Sequence, residues 1–173
     1  SKEKIISALA SFKGIAGRME FVIKNPFEVV VDYAHTPDSM KAVYSSLKKM
    51  RPGKRLICVF GSAGGGRDKW KRPEFGRIAS DYCDEIILTN EDPYNENPDS
   101  ILNEISTGIS KNKKYQKIIN REEAIKHAIY LAKTQDVVII TGKGSERFLR
   151  IAGGKKIPWS DKEIAISSTR REK

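Results

Sequence analysis

The chain has 173 residues, 39% of them hydrophobic and 31% charged, with a formal net charge of +10. That is the length of about one domain with enough apolar material for a core. No run approaches the ~18–20 continuous apolar residues of a membrane helix, and the opening stretch SKEKIISALASFKG lacks the apolar core and cleavage site of a signal peptide.

The positive charge raises the question of nucleic acid. The cations are scattered, however (Lys2, Lys41, Lys48, Lys111, Lys155), and mixed with glutamates. No recognition helix or RNA-binding aromatic signature accompanies them, which argues against a nucleic-acid partner. An anionic small substrate accounts for the charge as well. Cys58 falls in a predicted strand and Cys83 at a predicted helix end, without metal-ligand spacing. The expectation is two packed thiols in a reducing, cytoplasmic setting.

In chain order, residues 1–17 read as a short helix, with Ile5, Ile6, Leu9 and Phe12 near helical spacing and Gly14 and Gly17 at its end. It has little to pack on and reads as the tail of a preceding domain. Met19–Ile23 and Phe27–Tyr33 are β-like runs separated by Asn25-Pro26, which suggests a hairpin. Pro37 opens a helix whose apolar face is Met40, Val43, Tyr44, Leu47 and Met50, and Pro52-Gly53 closes it. A strand over 55–60, a helix over 73–82 and a strand over 85–89 follow. The polar loop Asn90–Pro98 leads to a helix over 99–110. A short strand at Lys117-Ile118-Ile119, a helix over 121–133 and a strand over 136–141 complete the alternation. Gly142-Lys143-Gly144 is a tight loop, and residues 161–173 read as a charged terminal helix. Repetition of a short apolar run followed by helical periodicity predicts an α/β fold: a doubly wound, mostly parallel, Rossmann-like sheet of about six strands with an N-terminal hairpin.

In such a sheet ligands bind beyond the carboxyl ends of the strands. The loops after strands (32–38, 61–73, 90–98 and 142–146) should therefore share one rim. That would bring Asp32, His35, Arg67, Lys69, Asp92 and Glu146 together. The stretch GSAGGGRDKWKRP is the most chemical of these loops: its glycines let backbone N–H groups approach a ligand, and Arg67, Lys69, Lys71 and Arg72 supply charge. It is not a P-loop. Gly61 and Gly66 have the spacing of G-x-x-x-x-G-K-[ST], but Arg67-Asp68 stands where Lys-Ser/Thr is required, so no hydroxyl is placed to hold Mg²⁺. It reads as a substrate-side loop.

The combination Gly17-Arg18-Met19-Glu20, DYAHTPD at 32–38, RDK at 67–69 with KRP at 71–73, Asp92-Pro93, and Gly142-Lys143-Gly144 with Glu146 resembles the C-terminal domain of the Mur ligases. Within that family it is most similar to the branch (MurE) that adds the third residue of the peptidoglycan stem peptide. The likeness runs over about residues 14–165. It implies residues 1–17 as the tail of an ATP-binding domain and 18–173 as the C-terminal domain. It further implies an ATP-dependent amide ligase that activates the substrate carboxylate as an acyl phosphate, with UDP-MurNAc-L-Ala-D-Glu and a free amino acid as substrates. Mg²⁺ would be held mainly by a central domain outside this chain, and the chain alone would not turn over.

The resemblance also implies roles. Arg18 would reach the ATP phosphates, for which a planar, permanently charged fork is suited. Asp32 and His35 would face the ribose and adenine; Thr36 can supply the helix cap that Asp32 might otherwise serve. Arg67 would grip the carboxylate of the incoming amino acid, with Lys69 as a supporting charge. Asp92, Tyr94, Gly142 and Glu146 would complete the amino-acid site, Glu146 holding a distal amine. In the resemblance, the diaminopimelate-adding enzymes usually carry an arginine where this chain has Tyr94, which donates one hydrogen bond but no charge. The added residue is therefore either diaminopimelate held by another cation such as Lys69 or Lys143, or L-lysine, or something else. Ser145 stands where the pattern has histidine, and the glycine loop is one residue longer than the common form. A cyanophycin-synthetase-like or folylpolyglutamate-like ligase, or a non-catalytic binding module, are the alternatives.

Overall fold

The computed structural model describes residues 1–12, 14–66 and 68–169. Its strands are β1 (Glu20–Ile23), β2 (Glu28–Asp32), β3 (Leu56–Phe60), β4 (Glu85–Leu88), β5 (Tyr115–Lys117), β6 (Val137–Thr141), β7 (Phe148–Arg150) and β8 (Lys156–Pro158). Its helices are α1 (Lys2–Ser11), α2 (Pro37–Met50), α3 (Lys71–Tyr82), α4 (Pro98–Ser106), α5 (Arg121–Leu131) and α6 (Asp161–Ser168). Six strands form one sheet in the order β1-β2-β6-β3-β4-β5. β1 pairs antiparallel with β2 as the expected hairpin, and every other pairing in that sheet is parallel.

The sequence of the central strands explains their position. LICVF and VVIIT are buried at every residue, as parallel strands covered on both faces must be. Alternate side chains go to opposite faces. Val30, Cys58, Phe60, Leu88 and Ile139 pack with Met40, Tyr44 and Leu47 of α2, Phe75 and Ile78 of α3, and Ile101 and Ile105 of α4. Val29, Val31, Ile57, Val59 and Ile140 pack with Ala124, Ile125 and Ala128 of α5 and Ala165 of α6. The sheet is thus doubly wound. The helix starts are fixed locally: Thr36 and Ser39 form a capping box on α2, and Asn97, Asn120 and Ser160 cap α4, α5 and α6.

Several boundaries differ from the sequence reading. α1 stops at Ser11, before the glycines, and buries none of its residues, so Ile5, Ile6, Leu9 and Phe12 stay exposed. α4 ends at Ser106; Gly108 follows close against α3, where a Cβ would lie 1.8 Å from the Pro73 carbonyl oxygen. The fifth strand is the exposed YQK of β5, not Lys117-Ile118-Ile119; it has one neighbour, β4, so an apolar run was not required. The β7–β8 hairpin was not foreseen, its strands being too short to show a period. α6 covers the start of the expected terminal helix; residues 170–173 lie outside the described residues. The expectation of two packed thiols is corrected: Cys58 of β3 and Cys83, just after α3, form a buried disulfide. The last turn of α3 over the sheet brings their Cα atoms to 6.1 Å, within bridging distance.

Candidate functional site

Because β2, β6, β3 and β4 run parallel, their carboxyl ends Asp32, Thr141, Phe60 and Leu88 open onto one rim. The rim loops interlock. Gly64 N–H donates to the Asp92 carbonyl at 2.7 Å, and the glycine loop passes beside the Tyr94 ring. Gly17, arriving from the N-terminal side, is pressed against the backbone of Gly144 and Ser145.

At the centre of the rim is an ionic cluster. The Lys143 ammonium, buried, donates to Asp92 Oδ1 at 2.8 Å and pairs with Glu146. Asp92 also accepts from Arg150 N–H at 2.8 Å and from Arg150 Nη1 at 2.9 Å. Arg150 Nη1 lies 3.7 Å from Glu146 Oε1. Beneath them Glu91 is buried, and burial pushes its carboxyl up, against the lowering influence of Arg121 and Lys143. Its carboxylate fills the space under Gly142: a Cβ there would lie 2.3 Å from Glu91 Oε2, and Gly142 has φ +110°. Only glycine fits that position.

Arg121 supports the rim from below. With Asp161 it forms a wholly buried bidentate pair, Nε to Oδ1 at 2.9 Å and Nη2 to Oδ2 at 2.8 Å. Its remaining donors reach the carbonyls of Asn90 at 3.1 Å and Thr141 at 2.8 Å, which are the loop starts after β4 and β6. Arg72 does the same for the glycine loop. It is buried and donates to Ala63 carbonyl, Glu96 and Glu104, while Glu96 also accepts from Gly66 N–H.

A second group sits where the chain enters the domain. The Arg18 guanidinium stacks over the Tyr33 ring at 4.2 Å, and Tyr33 meets the His35 ring edge-to-face at 4.6 Å. Arg18 and His35 are exposed. Asp32 lies beneath them, its oxygens accepting from Met19 N–H and Ala34 N–H, each at 2.7 Å. It therefore ties the entering segment to the loop after β2.

The structure thus brings Asp92, Tyr94, Gly142 and Glu146 together, and separately groups Arg18, Asp32 and His35. Lys69 belongs to neither group: exposed on the glycine loop, it pairs with Glu96 at 3.3 Å. Arg67 lies outside the described residues. Two clefts flank the rim. One, of ≈ 680 Å³, includes Gly144, Ser145, Glu146, Arg147 and Trp159. The other, of ≈ 790 Å³, includes Thr36, Asp38, Lys41, Asp68, Trp70 and Lys71. The sequence reading missed Arg121, Asp161, Glu91, Glu96 and Arg150. Arg72, expected to supply charge to a ligand of the glycine loop, is instead buried and paired with Glu96 and Glu104. The burial of Arg72, Arg121 and Lys143 in ion pairs removes them from any surface available to a polyanion.

The model of the Mur ligase, glutamate ligase domain matches residues 17–144. A UDP-N-acetylmuramoyl-L-alanyl-D-glutamate–2,6-diaminopimelate ligase from Syntrophomonas wolfei is 43% identical over 169 residues, covering 96% of this chain and 34% of that protein. A solved structure with the same description has a TM-score of 0.83 at 32% identity, covering 98% of this chain and 34% of the other. A murein peptide ligase from Psychrobacter arcticus, at 18% identity and a TM-score of 0.66, shares the fold. The chain spans about a third of the length of the curated relatives it matches. From residue 17 through the rim loops, this chain belongs to the Mur ligase family, as its glutamate ligase domain.

Proposed function

We propose that this chain is the amino-acid-binding and nucleotide-completing domain of an ATP-dependent ligase that forms an amide between UDP-N-acetylmuramoyl-L-alanyl-D-glutamate and a free diamino acid. The observation that carries this reading is the ionic cluster of Asp92, Lys143, Glu146 and Arg150 around Gly142. It sits at the carboxyl rim of a chain 43% identical to a 2,6-diaminopimelate ligase. A buried core of paired charges orients the partly exposed Glu146 carboxylate, which suits a substrate ammonium. Gly142 keeps the backbone open beside it. On this reading Arg67 contributes a contact to the substrate's reacting-end carboxylate, and Lys69 acts through the glycine loop.

Arg18 and His35 fit a nucleotide. Among the described residues the Arg18 guanidinium, on an exposed residue, spends only Nη1 on protein, at 3.1 Å to the Gly17 carbonyl, which leaves its other donors for phosphate oxygens. His35 presents an exposed ring, and Asp32 holds the loop that carries it. ATP supplies activation of the substrate carboxylate as an acyl phosphate. The residues of this chain orient the nucleotide and place the attacking amine. Mg²⁺ we assign to a central domain beyond this chain, as in the ligase mechanism that the family resemblance implies. We place the reaction in the cytoplasm because it consumes ATP. The cysteines, being paired, no longer argue for that setting.

Steady-state kinetics of the full-length ligase test the two groups separately. Glu146→Gln should raise KM for the amino acid by roughly tenfold or more, the worth of a charge-assisted hydrogen bond, with KM for ATP little changed. Arg18→Ala should do the reverse. Both variants raising the same KM would refute the division of the rim.

A further inference from the structure

Lysine and 2,6-diaminopimelate share a distal amine and differ by a distal carboxylate. The distal end of diaminopimelate is itself an amino-acid head group, ammonium and carboxylate on one carbon. A receptor for it needs an anion and a cation side by side, both open to solvent. Tyr94 offers no charge. Lys143 is enclosed at 1% side-chain exposure between Asp92 and Glu146, and Lys69 is paired with Glu96 on a different loop.

Arg150 meets the requirement. Its side chain is 38% exposed and Glu146's is 30%, with 3.7 Å between guanidinium and carboxylate. Asp92 fixes the guanidinium through Nη1 at 2.9 Å and fixes its backbone N–H at 2.8 Å, so the fork is pre-oriented. Among the described residues, Nε and Nη2 take no partner, which leaves donors for a second carboxylate. The Arg150 carbonyl accepts from Tyr94 N–H at 3.4 Å, so β7 is seated on the loop that lines the amino-acid site.

We propose that Arg150 is the specificity-determining residue for a distal carboxylate: with Glu146 it forms a receptor for the second head group of the incoming amino acid. This rests on the ligase reading above and makes the enzyme selective for diaminopimelate over lysine.

The test is kcat/KM of the full-length ligase for meso-diaminopimelate and for L-lysine, in wild type, Arg150→Gln and Arg150→Lys. Wild type should prefer diaminopimelate. Arg150→Gln should lower the diaminopimelate-to-lysine ratio by roughly 10- to 100-fold, the range of charge-assisted hydrogen bonds, and Arg150→Lys should fall between. A loss shared equally by both amino acids marks Arg150 as a strap for the hairpin and overturns the proposal, as does a wild type that prefers lysine. A wild type that uses neither amino acid with the UDP-linked dipeptide overturns the ligase reading itself, and the receptor with it.

Discussion

Arg121 offers a sharp test of how the rim is held. Arg121→Met removes a guanidinium that is fully buried and makes four hydrogen bonds. Asp161 would then remain buried, with Trp159 Nε1, at 2.8 Å, as its remaining side-chain donor among the described residues. The carbonyls of Asn90 and Thr141 would lose the donor that ties the loops after β4 and β6 together. Breaking a buried pair from one side costs about 3–5 kcal/mol, mostly from the uncompensated charge. At ~2–4 °C per kcal/mol for a chain of this size, the melting temperature should fall by about 6–20 °C. Calorimetry and urea unfolding of the variant measure this. The double variant Arg121→Met/Asp161→Leu removes the stranded charge and should recover roughly half of the loss or more, because apolar pairs can replace buried ion pairs at little cost. A single variant destabilised by under about 1 kcal/mol, or a double variant no better than the single, would refute the argument.

Two further outcomes follow from the same geometry. Gly142→Ala places a methyl on the Glu91 carboxylate at a φ of +110°. It should cost about 1–3 kcal/mol in stability from strain, and more in amino-acid affinity, read by thermal unfolding and KM; a variant with wild-type KM would show that the Gly142 backbone does not face substrate. Glu96 is held down at about 2 by its hydrogen bonds from Arg72, with Gly66 N–H and Lys69 adding to the effect. A carboxylate depressed in the folded state contributes stability that is full above its ordinary value of 4.5 and is lost as pH falls toward 2. Glu96→Gln should therefore flatten the acid limb of the stability profile between about pH 4.5 and 2, by on the order of 1–2 kcal/mol after solvent screening. An unchanged limb would place the proton uptake elsewhere.

The architecture was legible where one physical rule dominated. LICVF and VVIIT could only be buried strands, and Thr36-Pro37 could only begin a helix. β5 was displaced because an edge strand with one neighbour needs no apolar run, and the β7–β8 hairpin was hidden because three residues carry no measurable period. The site was legible as a set of loops on one rim, since parallel strands put all their carboxyl ends on one side. Its inner wiring was not. Charged residues in a sequence read as surface, and nothing local distinguishes exposed Lys69 from buried Lys143, Arg72 or Arg121. Their burial follows from partners 24 to 51 positions away, such as Glu96, Asp161 and Asp92. For the same reason Asp32 looked like a free ligand group, although its oxygens hold backbone N–H groups of residues 19 and 34.

The seat of the incoming amino acid decides the assignment of the rim most directly. A crystal structure of the full-length ligase with meso-diaminopimelate would show it. The prediction is a ligand between the Asp92–Tyr94 loop and Gly142, its distal ammonium on Glu146 and its distal carboxylate on Arg150. A ligand seated instead in the cleft between the starts of α2 and α3, beside Lys41 and Trp70, would contradict it.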